Sequence, residues 1–292
     1  VDNTGAGVVS RHRWDAFLAA FGPAARAVQH VRDVLRAPWF FGFLSGRESD
    51  CLLRNHPPGT FLVRLTRSAP GGALAIAFVY TPGQVIHILV QCRQPHGYAL
   101  LDQETQQERA FDSLADVVAF YSYALLRPLP ASVALQSYFL GDASGDDAAE
   151  LLREHPPGTF LVRLSSRSGC LAISYVDQQR AVKHSLVQHT VAADASHEQF
   201  AIAADAHTFA SFEELLRFYG DVISIPYAPP DGTPSLAELK QLALAMPDTA
   251  IAAEPPAGPQ PHPLLGTPDL AAIGGRFLLC EEDAWGRLVL RS

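Results

Sequence analysis

Apolar positions along the chain pass from helical to strand spacing and back again within about 95 residues, and the whole progression then occurs a second time. Thr60 to Thr66 is a short apolar run with branched residues that follows a Pro-Pro-Gly turn, the pattern of a central strand. Ala73 to Tyr80 and Gln84 to Cys92, joined by Thr81-Pro82-Gly83, predict a hairpin that extends it into a meander. Ahead of the first strand, Ser45 with Glu48 three residues on has capping-box spacing, so a helix starts there and ends before Pro57-Pro58-Gly59. Beyond the meander, Leu114, Val117, Val118 and Tyr121 lie at helical spacing on one face. The predicted order is helix, three antiparallel strands, helix.

The segment from Leu52 to Leu65 recurs 99 residues later, from Leu151 to Leu164, and differs only where Asn55 becomes Glu154. A second landmark, Phe111 to Tyr121, recurs 98 residues later from Phe209 to Tyr219. Matched landmarks at nearly equal separation mean a duplicated globular unit, too long for a solenoid repeat. The copies are expected at about 38–132 and 137–230, with an α+β fold: in each, a central antiparallel sheet flanked by two helices. In the second copy the helix follows Ser144 with Asp147 in the box position, and the strands run Thr159 to Ser165, Cys170 to Val176 and Val182 to His189. About five residues, Ala131 to Leu135, separate the copies, so a fixed or narrowly ranging orientation is expected.

The flanks form two further segments. In residues 1–37, Trp14, Phe17, Leu18 and Phe21 fall at helical spacing, Gly22-Pro23 breaks the run, and a second helix carries Val28, Val31 and Leu35, expected to pack on the first copy. In residues 231–292, Ser235 and Glu238 cap a short apolar helix ending near Met246, a Pro-rich stretch runs from Pro247 to Pro268, and Phe277 to Cys280 with Leu288 to Leu290 suggest a hairpin.

Composition narrows the function. At 48% hydrophobic and 18% charged, with mean hydropathy +0.07, the 292-residue chain has no apolar run approaching the roughly 18 residues of a membrane span. A net charge of -8 argues against a general nucleic-acid or anionic-membrane binder, so any bound anion must meet a local positive cluster. The four cysteines form no CxxC pair and read as buried thiols; with no signal peptide, a cytoplasmic or nuclear location is expected. No nucleophile elbow, phosphate-binding glycine loop or metal-ligand spacing occurs, so the reading is non-enzymatic, with no cofactor and no metal. The histidines of the Pro-Pro turns, His56 and His155, read as surface residues.

Candidate chemistry centres on one repeated oddity. Arg64 and Arg163 each close an apolar strand, where a guanidinium is expensive to bury without an anion or dipoles. Hydroxyl-rich, basic stretches follow: Thr66-Arg67-Ser68 and Ser165-Ser166-Arg167-Ser168. A guanidinium fork matches a phosphate bidentately, and hydroxyls and loop amides serve its remaining oxygens. His87 and His184 stand on a strand neighbouring the arginine strand. A buried structural ion pair is the alternative for each arginine.

Phe-Leu-Val-Arg after a Gly-Thr turn, preceded by Trp39-Phe40-Phe41-Gly42 and followed by a late Phe-x-Ser-Leu helix, resembles the Src homology 2 (SH2) domain, and both copies match across their length. The resemblance implies recognition of phosphotyrosine followed by a few extended residues, in tyrosine-phosphorylated peptides or proteins that include doubly phosphorylated ones. By that likeness Arg64 and Arg163 are the deep phosphate ligands. Thr66, Arg67 and Ser68, and Ser165, Ser166, Arg167 and Ser168, are phosphate-loop residues, with His87 and His184 beside them. Ile88 and Ser185 are expected to contact peptide residues after the phosphotyrosine. Three departures stand out. Gly46 and Gly145 occupy the place where many members carry a ring-stacking arginine, with Arg47, Arg67 or Arg167 as substitutes. Leu89 and Leu186 replace a frequent basic residue, and Tyr138 replaces the opening Trp. The lost clamp keeps a second reading open, a scaffold for phosphoserine or phosphothreonine linkers of the Spt6 type. A third is a regulatory piece of a larger kinase or phosphatase.

Overall fold

The computed structural model describes residues 31–66, 73–92, 97–101, 108–130, 133–192, 197–203, 205–229, 235–245, 279–282 and 288–291. The Trp14 to Phe21 helix and the Pro-rich stretch fall outside these residues.

In the first copy, β1 (Phe40–Phe43) runs parallel to β2 (Thr60–Thr66), the arginine strand. Between them, α1 (Gly46–Leu53) starts with the predicted capping box: the Ser45 hydroxyl accepts from the Glu48 amide, and the Glu48 carboxylate accepts from the Ser45 amide. β3 (Ala73–Thr81) and β4 (Gln84–Cys92) form the expected hairpin, and β5 (Tyr98–Leu101) and β6 (Glu108–Phe111) extend the antiparallel sheet. α2 (Leu114–Phe120) is capped by Ser113, and β7 (Arg127–Pro128) returns to pair with β2 in parallel. The second copy keeps this order in a five-stranded sheet with α3 (Gly145–Leu152), β8 (Thr159–Leu164), β9 (Cys170–Val176), β10 (Val182–Val191), β11 (Glu198–Ile202), α4 (Phe212–Phe218) and β12 (Ile225–Pro226), the counterparts of β1 and β6 being isolated bridges at Phe139 and Phe209. The predicted three strands are thus the centre of a larger sheet whose outer strands are too short for a two-residue alternation to show, and some of its edge pairings are parallel.

Alternation along β2 puts Leu62, Arg64 and Thr66 on one face and Phe61, Val63 and Leu65 on the other. α1 packs on the first face through Leu52 and Leu53, beside Leu62, Ala77 and Val79. Leu114 and Val117 of α2 cover the second, beside Phe61, Val63 and Ile76. Residues 31–36 are helical, as expected; Val34 and Leu35 join that second core together with Leu239 and Ala243 of α5 (Leu236–Ala245), the helix capped by Ser235 and Glu238. At the C-terminus β13 (Leu279–Glu282) and β14 (Leu288–Arg291) form an antiparallel pair.

The copies share a core. The α1 face of the first sheet continues through Leu129, Val133 and Leu135 into Phe160, Val162, Phe212 and Leu215, the α4 face of the second. Val133 to Leu135, part of the expected linker, is a buried single turn of 3-10 helix. The second Glu48 oxygen accepts from the Asp142 amide at 3.2 Å, and Asn55 Nδ2 donates to the carbonyls of Gly169 (2.8 Å) and His189 (2.6 Å). His56 is therefore not a surface residue: the second copy covers its turn, leaving it 5% exposed, and burial pushes its pKa down to about 4. Cys51 and Cys170 are free and half-buried rather than fully buried, and burial raises both thiols.

Candidate functional site

The register of each sheet assembles the candidate phosphate residues. Arg64 faces Ala75 across the β2–β3 pair, and His87 faces Ala77 across β3–β4, so both side chains rise from the α1 face two residues apart. In the second copy Arg163 faces Ala172 and His184 faces Ser174, on the α3 face. Each arginine meets the first turn of its helix. A Cβ added to Gly46 would lie 3.7 Å from Arg64 Nη2, and one added to Gly145 would lie 3.4 Å from Arg163 Nη2 and 3.8 Å from His184 Nε2. The glycines therefore keep open the space into which arginine and histidine nitrogens point.

The two pockets are wired differently. Ser174, fully buried, accepts from Arg163 Nε at 3.3 Å and lies 2.8 Å from His184 Nδ1. The Ser174 hydroxyl thus bridges the two side chains, and His184 Nε2 faces the Gly145 space. Arg163 Nη1 donates to the Leu164 carbonyl at 3.3 Å. Burial, and then the charge of Arg163, lower the His184 pKa. The loop from Ser165 to Gly169 closes the strand: the Ser165 hydroxyl accepts from the Arg167 amide at 3.1 Å, and Ser166, Arg167 and Ser168 are exposed.

In the first copy the position equivalent to Ser174 is Ala77, and an acid takes the role of partner. Asp50 of α1 accepts from His87 Nε2 at 2.8 Å. Arg64 is only 7% exposed; its Nη1 donates to the Leu44 carbonyl at 2.9 Å, and its Nε is buried with no hydrogen-bond partner among the described residues. Burial lowers its pKa, against the opposing charges of Asp50 and Glu48. Thr66 is buried at the end of β2, while Arg67 and Ser68 lie outside the described residues.

Arg47, a candidate substitute for the missing clamp, forms an exposed ion pair with Asp142, which also accepts from the Ser45 hydroxyl at 3.1 Å, at the contact between copies. Ile88 and Ser185 are half-buried and point to the faces opposite the histidines, Ile88 against the core beneath α2. Leu89 shares the His87 face at 44% exposure. Ser174 and Asp50 were missed in the sequence. A serine inside an otherwise apolar strand, two positions past the residue facing Arg163, is the signal that locates the first; nothing in the sequence marks the second.

A sheet between two helices, with a strand-borne arginine at the first turn of one of them, is the architecture of a peptide-docking module. The SH2 domain family model matches residues 39–121 and again 138–219, more than half of the chain, which therefore belongs to the SH2 family and carries two such domains in tandem. SH2 domains are non-catalytic modules that bind tyrosine-phosphorylated peptides. The SHC-transforming protein 1 of Xenopus laevis is 30% identical over 103 residues, 34% of this chain and 19% of that protein, so the match spans about a fifth of that relative's length. The SH2 domain of a Monosiga brevicollis CRK/CRKL homolog, solved by solution NMR, is 29% identical over 32% of this chain and 88% of its own, with a TM-score of 0.27. Among the described residues, no helix is long and apolar enough to cross a membrane.

Proposed function

We propose that the chain is a non-enzymatic signalling adaptor or regulatory module that reads phosphotyrosine through two unequal pockets, the second stronger than the first. The observation that carries this reading is the convergence of Arg163 Nη2 and His184 Nε2 on the open space above Gly145, with Ser174 holding both side chains from below. A phosphate there gains a charged fork, an imidazole N–H, and the Ser165 to Ser168 loop. Arg64 offers a matching donor in the Nη2 beside Gly46, but with Asp50 beside His87 a carboxylate already competes for the cations a phosphate would use. Ile88 and Ser185, on the opposite faces, are the residues proposed to meet the peptide after the phosphotyrosine. A partner phosphorylated at two suitably spaced tyrosines would engage both pockets, and the shared core makes that spacing a filter. A single site of micromolar strength is worth about -8 kcal/mol, and the second engagement adds roughly tenfold to ten-thousandfold in avidity.

Gly46 and Gly145 favour a second reading, phosphoserine or phosphothreonine, because the ring-stacking group is missing from both pockets. Calorimetric titration of the full chain with matched peptides bearing phosphotyrosine, phosphoserine or the unmodified residue separates the two. The first reading predicts binding of the phosphotyrosine peptide alone. Equal or tighter binding of the phosphoserine peptide overturns it.

A further inference from the structure

The seam between the copies gathers a second constellation that phosphopeptide reading does not use. His56 lies in the turn after α1 of the first copy, His189 on β10 and Glu198 on β11 of the second, and their ligand-capable atoms all lie within 4.8 Å of one another. His189 Nε2 stands 3.1 Å from Glu198 Oε2, and its ring is stacked on Phe200 with centroids 4.5 Å apart and planes 6° from parallel. The His56 ring sits 5.5 Å from that of His189, tilted by 59°. These groups meet for structural reasons. His189 faces Phe200 and Val191 faces Glu198 in the β10–β11 register, so His189 and Glu198 are diagonal neighbours on one face, and Asn55 pins the His56 turn to the His189 carbonyl at 2.6 Å.

The repeat supplies an internal comparison. His155 holds the equivalent position in the second copy, and its ring packs against Tyr227 instead. The one difference in the repeated segment, Asn55 against Glu154, falls on the residue that docks the His56 turn. The same sequence motif therefore delivers a packed aromatic histidine in one copy and a histidine facing a His–Glu pair in the other.

We propose that His56, His189 and Glu198 form a transition-metal site, suited to Zn2+, that clamps the two SH2 domains together. Two imidazoles and a carboxylate are a ligand set that zinc accepts at about 2.0 to 2.2 Å per bond, with a fourth position left for water. The nitrogen donors select against Mg2+ and Ca2+, which prefer oxygen. Drawing atoms spread over 4.8 Å onto one ion requires side-chain rotations of about an ångström, while Asn55 and the sheet hold the backbone on either side. Because one ligand comes from the first copy and two from the second, the ion binds only the docked arrangement and stabilises it by mass action.

The test uses the full chain stripped of metal with a chelator. Zn2+ is titrated in competition with a chromophoric chelator, and Co2+ is used as a spectroscopic stand-in. The expected result is one tightly bound Zn2+ per chain, visible Co2+ bands of a low-coordinate nitrogen–oxygen site, and a thermal midpoint that rises with Zn2+. Glu198→Gln and His189→Gln should each lose at least tenfold in Zn2+ affinity, while His155→Ala should lose none. Absence of the Co2+ bands and of stoichiometric Zn2+ binding in the wild-type chain overturns the proposal whatever the variants do. So does binding that survives both substitutions, which would place the ion on other histidines.

Discussion

Arg64 and Arg163 occupy the same position in two copies of one motif, yet their surroundings differ. Asp50 places a carboxylate against His87 and within the field of Arg64, where a phosphate dianion would sit. Asp50→Asn should therefore tighten phosphotyrosine binding at the first pocket by about 1 kcal/mol, roughly fivefold, and the gain should shrink in high salt; calorimetry in an Arg163→Ala background reads that pocket alone. His184 carries a pH signature. Its pKa is lowered in the free protein by burial and by Arg163, and a bound phosphate dianion favours its charged form. The bound state thus holds more protons, so affinity at the second pocket should rise as pH falls from about 8 towards 6.5, and fall again once the phosphate protonates near about 6. Titrations in buffers of different ionisation enthalpy should show net proton uptake, which His184→Gln abolishes; no uptake in the wild-type chain would contradict the assignment. The strand arginines were legible because a charge ending an apolar strand twice is conspicuous. Ser174 and Asp50 were not, since their importance depends on register and on which helix face meets the sheet.

At the scale of elements, the helix starts were the most legible features. Ser45, Ser144 and Ser235 each form the box that their spacing predicts, because the side-chain and amide partners are three residues apart and need no distant contact. Ser144→Ala should destabilise the chain by about 1 kcal/mol, seen as a lower midpoint in denaturant with an unchanged slope; a change within error would mean that α3 is held by packing alone. The meander strands were legible from apolar runs, whereas β7 and β12 are two residues each and exist only because the chain returns beside the arginine strand. His56 and His155 show the limit most sharply. Identical neighbours, Pro57-Pro58 and Pro156-Pro157, surround them, and what separates a buried seam residue from one packed on Tyr227 is which surface of the duplicated unit meets its twin.

For the molecule as a whole, the continuous core from Leu53 through Leu135 to Leu215 makes the two domains one folding unit. Calorimetry of the chain should show a single transition spanning both domains, with van't Hoff and calorimetric enthalpies equal; two resolved transitions would contradict a shared core. Leu53, fully buried at that junction, should cost about 2 to 5 kcal/mol on Leu53→Ala and lower the stability of both domains together. The short connection in the sequence predicted a restricted orientation, but not that the first copy would bury its α1 face against the α4 face of the second. The central claim, two phosphotyrosine pockets of unequal strength built on Arg64 and Arg163, is tested most directly by isothermal titration of a singly phosphorylated tyrosine peptide into wild type, Arg64→Ala, Arg163→Ala and the double variant. The account predicts two sites in wild type, the weaker lost with Arg64 and the tighter with Arg163, each by about 2 to 5 kcal/mol, and no binding to the double variant. A double variant that binds as wild type does would mean that the arginines are structural and that the pockets lie elsewhere.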